Sequence, residues 1–153
     1  MRRGVYKTLS AYLAAMEAKG CKVSNYAGQI LRMVVWSQEV GEEELVMVLD
    51  RDLGLTDSYT LDELTVAAAR FDLYRLDADV AAGLREQYGD QPPGEWCLVA
   101  MDPIARIDRD LWVFRVGRLD GGTWLGTFYA NPEDRFSLGC VWVFSRRKPV
   151  SST

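Results

Sequence analysis

A chain of 153 residues with 48% hydrophobic and 26% charged side chains is long enough to bury a sizeable core and too apolar for extended disorder. It has no histidine, which removes His-based triads, His-ligated zinc and imidazole acid–base chemistry, and its cysteines, Cys21, Cys97 and Cys140, are too widely spaced for a paired metal site or disulfide framework. The net charge of −4 hides a segregation: Glu39 to Asp90 holds fourteen carboxylates against four arginines, whereas residues 1–38 carry +5 and residues 91–153 carry +1.

In chain order, Val5, Leu9, Tyr12, Leu13 and Met16 recur at helical spacing, and Gly20 stops the run. Ser24 or Asn25 caps a second helix whose stretch Ile30–Trp36 is apolar on nearly every side. Glu42, Glu43 and Glu44 are expected to open a third helix, where carboxylates suit the helix dipole and Leu45, Val48, Leu49 and Leu53 share a face. Thr60 and Glu63 form a capping box for a fourth helix, and Asp77 caps a fifth that carries Val80, Leu84 and Tyr88.

Asp90-Gln91-Pro92-Pro93-Gly94 then breaks the pattern. Aromatic and β-branched runs follow at Trp96–Met101, Leu111–Leu119, Trp124–Ala130 and Phe136–Phe144, with a tight turn at Asp120-Gly121-Gly122. The expectation is one α+β domain over 1–153: an N-terminal helical part of four to five helices (1–90) packed on a C-terminal antiparallel meander of three to four strands (95–148). Alternation in the last run puts Phe136, Leu138, Cys140, Trp142 and Phe144 on one face and Val141 and Val143 on the other, so a second apolar face is left for a homodimer contact or a partner. No apolar run approaches the ~20 residues of a membrane span, and Arg2 and Arg3 are not followed by the apolar stretch of a secretory signal, so a cytoplasmic protein is expected.

Asp50-Arg51-Asp52 starts like a calcium loop, but Gly54 stands where a third ligand is needed and Leu61 where the bidentate glutamate is needed. A helix-turn-helix over Thr60–Tyr88 would present Asp77, Asp79 and Glu86 to DNA phosphates. Carboxylate pairs can run glycosidase-type chemistry without histidine, yet these acids spread over several elements as a surface does. Neither a cofactor nor a metal is implied.

The remaining reading is the acidic surface itself. Glu42, Glu43, Glu44, Asp50, Asp52, Asp57, Asp62, Asp77 and Asp79 would imitate phosphate spacing and block a basic, nucleic-acid-binding protein or ribonucleoprotein. In size and in its acidic block from Glu39 to Asp90 without a catalytic set, the chain resembles the anti-CRISPR class of phage and mobile-element inhibitors. That resemblance implies a non-enzymatic inhibitor of a bacterial defence complex and transfers no residue role. A toxin-neutralising immunity protein is a close variant. The alternatives are a histidine-free enzyme using carboxylates or a nucleotide cofactor, and a nucleic-acid module combining the basic ends (Arg2, Arg3, Lys7, Arg146, Arg147, Lys148) with sheet aromatics; direct nucleic-acid binding ranks below a protein partner.

Overall fold

Hydroxyl caps start three helices. Thr8 accepts from the Ala11 N–H ahead of α1 (Leu9–Ala18), Ser24 from the Ala27 N–H ahead of α2 (Asn25–Leu31), and Thr60 from the Glu63 N–H ahead of α3 (Leu61–Ala69). Asp77 precedes α4 (Ala78–Gln87) without a side-chain cap bond. These elements belong to a computed structural model that describes residues 1–148; residues 149–153 of the expected domain lie outside the described residues.

The expected division into a helical half and a meander is corrected. Among the described residues there are four α-helices and nine strands: β1 (Arg2–Arg3), β2 (Lys22–Val23), β3 (Gly41–Glu42), β4 (Leu45–Leu49), β5 (Trp96–Val99), β6 (Ile104–Ala105), β7 (Leu111–Leu119), β8 (Gly122–Tyr129) and β9 (Val141–Ser145). A mixed seven-stranded sheet has the order β2-β8-β7-β5-β9-β4, with β6 beside β7, and so draws strands from the whole chain. The segment expected as a third helix is strand β4 followed by a 3-10 turn at Asp50–Leu53, and β4 runs antiparallel to β9. The second helix ends at Leu31, short of Trp36.

The β7–β8 hairpin forms as its turn residues direct, but β9 does not extend it. It lies parallel to β5 instead, with Leu98 opposite Trp142. Trp142, Val143 and Phe144 are all buried, so the second apolar face of this strand is covered by the chain's own core. No helix among the described residues is long and apolar enough to cross a membrane.

Candidate functional site

The two charged regions that the sequence separates come together in space. Strand β1 pairs antiparallel with β3, setting Arg2 opposite Glu42, and Arg2 Nε stands 3.9 Å from the Glu42 carboxylate. Gly4, at φ +72°, permits this approach, because a Cβ there would overlap the Glu39 carbonyl. Arg3 and Arg147 flank Glu43 at 3.9 and 3.5 Å, and Arg146 lies 3.8 Å from Glu44. The basic ends thus neutralise the acidic triplet, and Glu43 is buried between two guanidinium groups.

This arrangement separates the three glutamates energetically. Glu43→Gln, which leaves two arginines without their carboxylate, is expected to cost about 1–3 kcal/mol in urea unfolding. Glu42→Gln and Glu44→Gln, in exposed pairs, are expected to cost under about 1 kcal/mol. Equal losses at all three positions would contradict the buried clasp.

The other six acids do not share one face. Asp50 is fully buried, and Asp79 is buried where it accepts the Ser37 N–H at 3.0 Å. Asp62 is exposed and shares Arg75 with Asp102, at 3.1 and 2.9 Å. Asp52, Asp57 and Asp77 are exposed.

A different constellation forms on the sheet. Register places Trp96, Gly117 and Trp124 side by side on β5, β7 and β8, and Leu98, Arg115 and Gly126 form the next row on the same face. A Cβ at Gly117 would overlap the Trp96 ring, so glycine is what lets the indole lie flat on β7. The Arg115 guanidinium is 4.5 Å from the centroid of Trp96 and 5.7 Å from that of Phe128. Lys22 stands 5.3 Å over Trp124, and Arg106 lies 3.7 Å over Tyr26. Tyr26, Trp96, Trp112, Arg115, Trp124 and Thr127 line an open groove of about 500 Å³, and Lys22 and Arg106 stand beside it on the rings of Trp124 and Tyr26. The outer edge of β8 pairs with β2 at Trp124 and Leu125, and among the described residues no strand pairs with Gly126–Tyr129 on that side, where α2 follows β2 and contacts β8.

The groove is electropositive and short of partners. Arg115 Nε and Trp112 Nε1 are buried donors that meet no acceptor among the described residues. Leaving such a donor unmet costs about 1–3 kcal/mol, which a ligand oxygen would recover. Burial lowers the Arg115 pKa from its ordinary value, as expected for a charge with little water around it. Just behind the Gly117–Trp124 pair lies Arg85, fully buried. It donates to the carbonyls of Gly117 (3.0 Å), Trp124 (3.4 Å) and Tyr88 (2.6 Å) and to Gln91 Oε1 (2.6 Å), and no carboxylate is among these partners. A buried cation matched only by dipoles adds to the field that an anion meets in front of it.

Cys97, on β5, has its thiol pushed up to about 12 by burial and by the neighbouring Glu95, so it is protonated at neutral pH. No group of three His, Cys, Asp or Glu side chains suited to a metal occurs among the described residues. No family model matches the chain, and comparison with curated proteins and with solved structures finds none similar to it.

Arg85, Arg106 and Arg115 went unmarked at the sequence level because they are single cations inside ordinary apolar patterns. The one local signal is Gly117 and Gly126, small residues inside long strand patterns, which mark places where something approaches the backbone closely.

Proposed function

We propose that this chain is a binding protein that holds a single-stranded nucleic acid in the groove between Trp96, Arg115 and Trp124. The observation that carries this reading is the arginine stacked on Trp96 with an unmet buried Nε–H, beside a second indole under Lys22. Aromatic faces stack bases with little regard to sequence, and a positive groove follows the phosphates. A planar guanidinium stacks on a base and grips a phosphate with the same group. The groove is open to solvent, so an unpaired strand can reach its rings, whereas a paired duplex hides the base faces this groove would use.

The basic ends are not part of this reading, since Arg2, Arg3, Arg146 and Arg147 are committed to Glu42, Glu43 and Glu44. The cations come from Lys22, Arg106 and Arg115 instead.

Three of the five tryptophans line the groove, so tryptophan emission reports on its occupancy. Titration with short single strands of DNA and RNA at low salt is expected to quench that emission, with affinity falling as salt rises. A duplex of the same length is expected to bind more weakly. Absence of quenching by either single strand at low salt, or tighter binding of duplex, would overturn the proposal.

A further inference from the structure

A second groove, of about 430 Å³, lies between residues 33–37 and the turn from Leu76 to Ala78, beside strand β6. Its walls differ in kind. Met33 and Val35 are 66% and 85% exposed on one side, far more than apolar side chains of their size usually show. Asp77 and Asp102 are exposed among the polar lining, and Asp102 has only a shared cation, because Arg75 also holds Asp62.

The backbone around this groove is also open. Residues 33–37 run as an irregular segment in which Val34 is buried and Trp36 packs on the core, so Met33, Val35 and Ser37 alternate toward the groove. No hydrogen bond from the Val35 or Trp36 N–H occurs among the described residues. Ile104–Ala105 is bonded to β7 on one side, and among the described residues no strand lies on the other. Unpaired backbone beside an apolar wall is what an added strand uses: main-chain hydrogen bonds hold it, and alternate side chains select it.

We infer that this groove docks an extended segment of a protein partner in which apolar residues alternate with lysine or arginine. The apolar side chains cover Met33 and Val35, and the basic ones meet Asp77 and Asp102. The site is separate from the Trp96–Arg115 groove, with which it shares no lining residue, and it does not depend on nucleic-acid binding.

The test is fluorescence anisotropy with a short labelled peptide of alternating valine and lysine. Two control peptides replace lysine by glutamate or valine by serine. The full chain is expected to bind the valine–lysine peptide and neither control, and an excess of single-stranded DNA is expected not to displace it. The double variant Asp77→Asn, Asp102→Asn is expected to bind about tenfold more weakly, as the loss of two exposed charge pairs implies. Val35→Ser, an exposed change that leaves the core intact, is expected to weaken binding while the melting temperature stays unchanged. Equal binding of the glutamate peptide, or full affinity in both variants, overturns the inference. Unaltered peptide binding in a chain that fails to bind single strands leaves this site standing and removes only the other.

Discussion

Replacing Trp96 or Trp124 with alanine is expected to weaken single-strand binding by about 5- to 150-fold, because stacking a base on an aromatic face contributes about 1–3 kcal/mol. The two rings occupy one row of the sheet, with Gly117 between them, so a strand crossing the row meets both. Arg115→Lys separates two contributions. It keeps the charge but loses the plane that lies 4.5 Å from Trp96, so the salt slope is expected to persist while affinity falls. Arg115→Gln is expected to lower both the affinity and the salt slope. Gly117→Ala provides an independent check, because it removes no ring and no charge yet displaces Trp96 from the strand. Melting temperatures of the variants distinguish lost stacking from lost folding. Full affinity in all five folded variants would place the binding surface elsewhere.

A net charge of −4 is compatible with an electropositive groove because the acids are spent or distant. Glu42, Glu43 and Glu44 face the terminal arginines, and Asp50 and Asp79 are buried in hydrogen bonds. Among the described residues, Arg106 is the one cation in or beside the groove that forms an ion pair, with Asp108 at 3.2 Å. Arg85, Arg115 and Lys22 form no ion pair among the described residues, so their fields are not cancelled locally. What a ligand meets is this local field rather than the sum over the chain.

The starts of α2 and α3 were legible because a cap is a contact between near neighbours. The first helix, read from Val5 by apolar spacing, starts only at Leu9 behind Thr8, whereas the bonds from the Ala27 and Glu63 N–H groups to Ser24 and Thr60 each span three residues. The β7–β8 hairpin was legible for the same reason, and β7 forms over Leu111–Leu119 as expected. Leu45–Leu49 was not, since five consecutive apolar residues satisfy both a helical and a strand period. Their partner, β9, lies about a hundred residues away, and no local pattern records that pairing. Nor does local pattern record that the chain's basic ends close on Glu42–Glu44. The aromatics were visible as strand formers, but their meeting with Arg115 depends on a register shared by three strands.

Asp50→Ala is expected to cost about 2–4 kcal/mol, through donors that this carboxylate satisfies. Its Oδ2 accepts the Tyr59 O–H at 2.6 Å, and its two oxygens accept the backbone N–H groups of Arg51, Gly139 and Cys140 at 2.8–3.0 Å. Tyr59 Oη in turn accepts the Trp142 Nε1–H at 2.9 Å, so a chain of bonds ties the turn after β4 to the strand at its side. Removing the carboxylate leaves one buried donor, the Tyr59 O–H, unmet at about 1–3 kcal/mol, and three part-buried backbone N–H groups, which water reaches, at less, a drop of roughly 4–12 °C in melting temperature. The pH dependence follows from the same bonds. Burial pushes the Asp50 pKa up, but the hydrogen bonds from Tyr59, Gly139, Cys140 and Arg51 pull it further down, to a value below that of an ordinary aspartate. A depressed native pKa means that this stabilisation is complete above about pH 4 and is lost as pH falls through the native value. Asp50→Asn is expected to flatten that acid limb while remaining destabilised at neutral pH, because one side of an amide presents N–H groups to backbone N–H donors. Asp52→Asn and Asp57→Asn, at exposed positions nearby, are expected to leave both melting temperature and acid limb unchanged. Calorimetric melts of the four variants between pH 3 and pH 7 measure this directly. An Asp50→Ala chain that melts with the native protein would show that the buried carboxylate does not hold the β4–β9 edge.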